Sequence, residues 1–187
     1  KNAKNWDIGV IVGVPAWLQI LLERIVKTYN LNNIHEIWPN LELFMHGGVS
    51  FQPYKNEFER LFDSKPMNYY ETYNSSEGAF GMQDRSGADD MLLMLDYGIF
   101  YEFMPMDEYG KNNPETIGLE DVELGKVYAL IISTNAGLYR YMIGDTIQFT
   151  STFPFRIQVV GRTKHFINAF GEELMIGNAD EAISRTC

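Results

Sequence analysis

The chain has 187 residues, of which 45% are hydrophobic and 14% aromatic, enough for one domain or slightly more with a large core. Its formal net charge of −10 argues against nucleic acid as a partner, because that binding depends on Lys and Arg neutralising phosphates, but it does not exclude a single nucleotide. No apolar run reaches the roughly 18 residues of a membrane span, and Cys187 as the single cysteine favours a reducing, cytoplasmic location.

The first stretches of the chain alternate between strand and helix patterns. Residues 8–14 ("IGVIVGV") form a β-branched run that predicts a buried strand or the approach to one. Pro15 suits the first turn of a helix, and apolar residues then recur with a helical period as far as Asn30. We therefore expect a packing helix from Pro15 to about Asn30.

The next segment predicts a second strand, helix and strand. Residues 41–51 ("LELFMHGGVSF") read as a strand followed by a glycine pair, and residues 53–64 ("PYKNEFERLFDS") as an amphipathic helix. Residues 67–83 form an aromatic-rich strand that enters a Ser-Ser-Glu-Gly turn. A strand, helix and strand within about 40 residues predict a βαβ crossover and a parallel strand pair.

From about residue 88 the pattern changes to short strands. Residues 91–106 ("MLLMLDYGIFYEFMPM") predict a hairpin around Tyr97-Gly98. A long acidic loop, residues 107–125, follows, and then three strands with the sequences "KVYALIISTNAG", "LYRYMIGDTIQF" and "FRIQVVGR". The predicted fold class is α/β, with a parallel βαβ portion followed by an antiparallel β-rich subdomain.

The stretch "TYNSSEG" (72–78) is the first candidate site, because open α/β sheets bind ligands at the carboxyl ends of their parallel strands. The hydroxyls could bind phosphate oxygens, Glu77 could bind Mg²⁺, and Tyr73 offers a flat face to a base. The alternative is a helix that begins here, with Ser75 or Ser76 as its cap.

Two other stretches have a structural and a functional interpretation. The glycines of "HGGVS" (46–50) would let the backbone approach a flat ligand, or would simply make a tight strand-to-helix turn. Asp145 in "YRYMIGD" could accept hydrogen bonds from two ribose hydroxyls, as carboxylates do in dinucleotide sites. It could equally belong to a Gly-Asp turn that ends a strand.

The order of these stretches resembles that of the adenylate-forming enzymes, which include acyl-CoA synthetases, luciferases and peptide-synthetase adenylation domains. The sequence "GLYRYMIGD … VVGRTKHFINAFGEEL", with "DIGVIVGVPAW" at the start, is similar to sequences of the Gretchen Hagen family of auxin-responsive acyl-acid amido synthetases and their bacterial relatives. This resemblance covers essentially the whole chain. It implies a ligase that uses ATP and Mg²⁺ to convert a small carboxylic acid into an acyl-adenylate, which an amino acid then converts into an amide.

The resemblance also implies roles for individual residues. It places Gly47, Gly48 and Tyr73 beside the adenine, Ser76 at the α-phosphate and Glu77 at Mg²⁺. It places Asp145 at the ribose, Arg162 at the ribose or phosphate, and Lys164 at a hinge. Glu77 and Lys164 would be the catalytic members. The superfamily often has Asp where this chain has Lys164.

The resemblance further implies that the chain is a central fragment of a longer protein. Residues 1–161 would form the later part of the large adenylation domain, with a subdomain change near residue 88, and residues 162–187 would form the hinge and the start of a small domain. The phosphate loop would lie upstream of Lys1, and the rest of the small domain would lie downstream of Cys187. We therefore expect the 187-residue chain to be inactive by itself.

Other assignments stay open at this stage. Phe80, Met82 and residues 93–103 could line an acyl pocket or could simply be core. His46 and His165 are available as proton acceptors, but a lone histidine more often has a structural role. The alternatives for the whole protein are a ligase that forms acyl-CoA, a non-catalytic relative that binds nucleotide or acid, and an α/β domain without a ligand.

Overall fold

The computed structural model describes residues 2–62, 65–163, 166–169 and 172–175. The chain divides into two compact units, one formed by Lys1–Ser75 and Met82–Ala88, the other by Ser76–Gly81 and Asp89–Cys187. Within the described ranges, no helix combines the length and the apolar character needed to cross a membrane.

The first unit is built from parallel strands and the helices that connect them. In chain order its elements are β1 (Val10–Gly13), α1 (Pro15–Tyr29), β2 (Leu43–His46), α2 (Lys55–Leu61) and β3 (Asn68–Ser75). β2 pairs with both β1 and β3, and both pairs are parallel. The predicted βαβ crossover is confirmed, and β1, α1 and β2 form a second crossover that the sequence pattern did not reveal.

Helix α1 begins and ends where its sequence predicts. Pro15 occupies the first turn, where its missing N–H needs no partner. Asn30 adopts the left-handed conformation at φ 53° and donates its N–H to the carbonyl of Val26, which closes the helix. Leu22 and Ile25 of its apolar face are buried in the core of this unit.

Aromatic rings dominate the core of the first unit. The ring of Phe44 on β2 stacks on that of Phe58 on α2, with centroids 4.8 Å apart. The cluster joins α1, α2, β2 and the segment between α1 and β2 through its buried members Leu22, Ile25, Ile34, Trp38, Leu41, Phe44, Phe58 and Phe62. This packing holds β2 against the two helices.

Strand β1 is less buried than its sequence predicts. Val10 and Val12 are 50% and 66% exposed, and β1 lies at the edge of its sheet, with β2 as its neighbour. A β-branched run has the same appearance in an edge strand and in a central strand. Its burial therefore depends on what packs against it, which the local sequence does not contain.

The second unit is an antiparallel sheet. Its strands, in chain order, are β4 (Gly78–Met82, with Met82 assigned to the first unit), β5 (Met91–Leu93), β6 (Ile99–Pro105), β7 (Val127–Thr134), β8 (Tyr141–Thr152) and β9 (Phe155–Arg162). β6, β7, β8 and β9 form an antiparallel meander, as predicted, and β5 pairs antiparallel with β9. Two further strands, β10 (Phe166–Ala169) and β11 (Glu172–Met175), pair with each other.

The predicted hairpin of β5 and β6 is wrong. Both strands exist and Gly98 between them has a φ of 71°, but β5 pairs with β9 whereas β6 pairs with β7. In the sheet, β9, β8 and β7 lie between them. The turn signal identified the break between the two strands, but β5 and β6 run in the same direction, because four antiparallel pairings separate them in the sheet. The partner of a short strand is decided by strands elsewhere in the chain.

Candidate functional site

Asp145 lies within strand β8 and not at its end. Met142 of β8 pairs with Ile131 of β7, and Thr146 pairs with Ala129, so β8 uses four residues where β7 uses two. The excess forms a β-bulge, in which Gly144 has a φ of 92°, a conformation that glycine adopts without strain. The interpretation of Gly-Asp as a turn that ends the strand is therefore wrong.

The structure brings Asp145 and Arg162 together. They are opposite each other in the register of β8 and β9, and the Arg162 Nε lies 3.0 Å from the Asp145 Oδ1. The Asp145 side chain is 17% exposed and that of Arg162 is 56% exposed. The Thr163 N–H donates to the Gly144 carbonyl at 2.8 Å and so holds the bulge from the β9 side. This arrangement offers a carboxylate acceptor beside guanidinium donors.

The glycine pair follows β2 directly. A Cβ on Gly47 would overlap the carbonyl oxygen of Thr72 on β3, and Gly48 has a φ of 82°. The local backbone therefore requires glycine at both positions, which agrees with the simpler interpretation of a tight turn. The same geometry leaves bare backbone at the carboxyl end of β2, so it is also compatible with a flat ligand.

Two titratable groups lie on neighbouring strands, His46 at the carboxyl end of β2 and Glu71 in the middle of β3. His46 pairs with Glu71 in the parallel register. The His46 ring stacks on Phe51 with centroids 4.3 Å apart, and burial lowers the pKa of His46 to about 4. Burial also raises the pKa of Glu71. The ring packing supports a structural role for His46. The sequence analysis did not single out Glu71. The feature that could have identified it is a single carboxylate within an otherwise aromatic strand.

The Ser-Ser-Glu-Gly stretch connects two strands. β3 ends at Ser75, Ser76 and Glu77 form a turn, and β4 begins at Gly78, so the alternative of a capped helix here is wrong. Ser76 is exposed, Glu77 is half-buried, and Tyr73 is buried within β3. Tyr73 therefore presents little of its ring to solvent.

Glu77 is the predicted ligand of a magnesium ion that would be bound mainly through substrate phosphates. Among the described residues, no group of three or more His, Cys, Asp or Glu side chains could hold a metal ion. Mg²⁺ typically keeps one or two protein carboxylates and takes its other ligands from phosphates and water. A single carboxylate in a surface turn fits that mode of binding.

The remaining predicted site residues are placed as follows. Phe80 is completely buried, as the core interpretation requires, and Met82 is half-buried at the end of β4. Lys164 and His165 lie outside the described residues.

The fold is similar to part of a solved synthetase and part of a solved ligase. The structure is similar to an acyl acid amido synthetase, AtGH3.15, in complex with 2,4-DB, with a TM-score of 0.65 and 20% identity, covering 80% of this chain and 26% of that chain. It is also similar to 2-hydroxyisobutyryl-CoA ligase in the postadenylation state, with a TM-score of 0.68 and 15% identity, covering 98% of this chain and 39% of that chain. At such identities the likeness establishes the fold.

Sequence comparison identifies the family. The GH3 family N-terminal domain matches residues 10–67, and the GH3 family central domain matches residues 92–162. The 4-substituted benzoates-glutamate ligase GH3.12 of Arabidopsis thaliana is 34% identical over 171 residues, which are 81% of this chain and 28% of that protein. The chain is therefore homologous to the plant GH3 acyl-acid amido synthetases and carries GH3 family domains.

The chain spans a small part of these relatives. The indole-3-acetic acid-amido synthetase GH3.3 of Arabidopsis thaliana is 32% identical over 126 residues, which are 64% of this chain and 21% of that protein. The chain thus covers 21% and 28% of the length of these two curated relatives.

Proposed function

We propose that the chain is part of an ATP-dependent acyl-acid amido synthetase. The enzyme would activate a small carboxylic acid as an acyl-adenylate, release pyrophosphate, and transfer the acyl group to an amino acid. The relatives named above act on indole-3-acetic acid and on 4-substituted benzoates, the latter with glutamate. Their shared chemistry, a small organic acid joined to an amino acid, is what we extend to this protein.

The observation that carries this proposal is the pairing of Asp145 with Arg162 in the β8 bulge. Both residues lie within the stretch that matches the GH3 family central domain. We assign Asp145 to the two ribose hydroxyls and Arg162 to the ribose or phosphate side. A carboxylate that accepts two hydroxyl hydrogen bonds contributes more than a neutral acceptor, because hydrogen bonds to charged groups are worth roughly 1.5–3 kcal/mol each.

The other assignments follow from the family resemblance and are proposals of the same kind. In the first unit, Gly47, Gly48 and Tyr73 would lie on the side of the adenine. In the second unit, Ser76 would contact the α-phosphate and Glu77 would hold Mg²⁺. The metal ion, when bound, would offset the negative charge of the phosphates.

The proposed first half-reaction needs no general base, because the attacking carboxylate is already ionised. The carboxylate attacks the α-phosphorus, the bond to the bridging oxygen breaks, and the negative charge leaves with pyrophosphate. Arg162 would stabilise charge at this stage through its guanidinium donors. Asp145 would hold the ribose so that the α-phosphorus stays in line with the attacking oxygen.

The domain assignment and the inactivity of the isolated chain also remain proposals. We assign residues 1–161 to the large adenylation domain, and residues 162–187, including Lys164, to the hinge and the start of the small domain. Because the chain covers less than a third of either curated relative named above, we expect no turnover from the 187 residues alone. ATP–pyrophosphate exchange by the isolated chain would contradict that expectation.

The test is a pyrophosphate-release screen of the full-length protein with pairs of carboxylic acids and amino acids, followed by mass spectrometry of the products. An amide product together with AMP supports the proposal. A thioester formed with coenzyme A but no amide would show a ligase of the acyl-CoA type. Nucleotide binding without pyrophosphate release would show a non-catalytic relative, and no binding at millimolar AMP in calorimetry would show a domain without this ligand.

A further inference from the structure

Arg140 has a backbone conformation that is rare for a bulky residue. Its φ is 45°, and it directly precedes β8. In the described part of the chain, the other non-glycine residue with a positive φ is Asn30, where a helix closes and asparagine tolerates the conformation. A strained backbone of this kind persists where surrounding contacts hold it, and such residues cluster at functional sites.

The side chain of Arg140 is held at several points. Its Nε lies 3.1 Å from both carboxylate oxygens of Glu102 on β6, and its Nη2 lies 3.0 Å from Oε1. The Nη2 also donates to the Thr116 hydroxyl at 3.1 Å, and that hydroxyl donates to the Glu102 Oε1 at 2.8 Å. Two-point pairing of a guanidinium with a carboxylate adds a defined geometry to the charge attraction.

The backbone of Arg140 is fixed as well. Its N–H donates to the Ser133 hydroxyl on β7 at 2.9 Å, and the turn before it is closed by the Thr134 N–H donating to the Leu138 carbonyl at 2.8 Å. Thr116 belongs to the acidic loop, which is tied to β6 by two hydrogen bonds between Phe103 and Ile117. Arg140 thus fastens the start of β8 to β6 and to the acidic loop.

The start of β8 leads directly into the bulge that contains Asp145. Tyr141 and Met142 pair with β7, but the pairing with β7 resumes at Thr146. Between these points the bulge lacks the regular ladder to β7, so its position depends on its flanks. Arg162 and Thr163 hold it from β9, and Arg140 lies at its other end.

We propose that Arg140, through its ion pair with Glu102 and its contact with Thr116, is a positioning residue that sets the bulge so that Asp145 meets the nucleotide ribose. The proposal rests on the proposed function, because it takes Asp145 as the ribose contact. It adds a partner on β6, 38 residues away in sequence, that the motif around Asp145 does not contain.

The experiment compares variants of the full-length protein by AMP affinity in calorimetry, by separate KM values for ATP and acid, and by melting temperature. Glu102→Gln removes the carboxylate charge and keeps the size. Arg140→Asn removes the guanidinium and places a residue that tolerates a positive φ, which separates the lost contact from backbone strain. Glu102→Asp is the conservative variant. Lys111→Asn is the matched control, because Lys111 pairs with Glu108 in the same acidic loop.

We expect Glu102→Gln and Arg140→Asn each to weaken AMP binding roughly five- to tenfold, through a shift of the bulge. The KM for ATP should rise in proportion, while the KM for the acid and the melting temperature stay close to the wild-type values. Glu102→Asp should recover most of the AMP affinity, and Lys111→Asn should bind AMP as the wild type does.

Two results would overturn this positioning role and leave the proposed function standing. One is wild-type AMP affinity in Glu102→Gln and Arg140→Asn while Asp145→Ala binds AMP weakly. The other is an equal rise of both KM values together with a lower melting temperature, which would show a general structural role. Unchanged AMP affinity in Asp145→Ala would instead remove the ribose assignment of the proposed function, and the positioning role with it.

Discussion

The two units treat their polar groups in opposite ways. In the first unit, His46 and Glu71 lie on neighbouring parallel strands, and burial disfavours the charged form of both. In the second unit, carboxylates face arginines across or beside antiparallel strands, as in the pairs of Asp145 with Arg162, Glu102 with Arg140 and Asp90 with Arg156. Burial thus acts against ionisation of these two groups of the first unit, whereas these carboxylates of the second unit lie beside arginines.

The difference follows from the two kinds of sheet. Parallel strands joined by helices are covered by the packed helices, so a polar side chain on them loses its water. Residues directly opposite in antiparallel strands have side chains close enough to pair, and opposite charges there stabilise the sheet. The ion pair at the proposed ribose contact, Asp145 with Arg162, lies on the second kind of sheet.

The largest expected effect comes from breaking the buried pair of the second unit. The Arg156 Nη1 lies 3.1 Å from the Asp90 Oδ1, with side chains 7% and 15% exposed, and the Thr150 hydroxyl also donates to Asp90. Arg156→Met should lower the free energy of unfolding by about 3–5 kcal/mol, because the buried Asp90 carboxylate loses the positive charge that faces it. Urea denaturation measures this difference.

The matched control is an exposed pair of the first unit. Arg60 and Glu57 lie on α2 with side chains 75% and 45% exposed. Arg60→Met should change the free energy of unfolding by less than about 0.5 kcal/mol, because water screens such pairs. Similar losses in Arg60→Met and Arg156→Met would contradict the distinction drawn between exposed and buried pairs.

The next largest effect concerns the pH dependence of the first unit. The pKa of His46 is lowered from 6.5 to about 4, so the unfolded chain takes up a proton before the folded chain does. The stability contributed by neutral His46 is present above pH 6.5 and is lost as the pH falls towards 4, by about 3 kcal/mol in all.

His46→Gln should remove this part of the pH dependence. Urea denaturation at pH 7 and pH 4.5 should show a smaller loss of stability for the variant than for the wild type, because glutamine does not titrate. Equal losses in the two proteins would mean that His46 is protonated as easily in the folded chain as in the unfolded chain.

Of the three sites compared here, the proposed ribose contact should have the smallest effect on the free energy of unfolding. Asp145→Ala should raise the KM for ATP of the full-length enzyme roughly tenfold or more, from the loss of charged hydrogen bonds. Its effect on the free energy of unfolding should stay below about 1 kcal/mol, because Arg162 remains 56% exposed to water.

A matched control keeps the loss of a carboxylate separate from the loss of the ribose contact. Glu123 is an exposed carboxylate of the same unit that pairs with Lys126. Glu123→Ala should leave the KM for ATP unchanged. An unchanged KM for ATP in Asp145→Ala would show that Asp145 does not bind the nucleotide.

The sequence by itself determined the elements and much of their order. Helical periodicity from Pro15 to Asn30, the strand pattern up to the glycine pair and the three strands of the meander all appear where the patterns predict them. These features are local, because helical and strand periods and the conformational limits of proline and glycine act within a few residues. The motif around Asp145 was visible in the same way.

Tertiary structure decided which residues meet. Asp90 pairs with Arg156, 66 residues further on, and β5 joins β9 and not β6. Asp145 enters a bulge opposite Arg162, and Arg140 reaches Glu102 on β6. Such pairings minimise the free energy of a whole sheet, with every backbone hydrogen bond and buried charge counted at once. No short window of sequence contains that sum, so the residues of the candidate site could be named from the sequence but their partners could not.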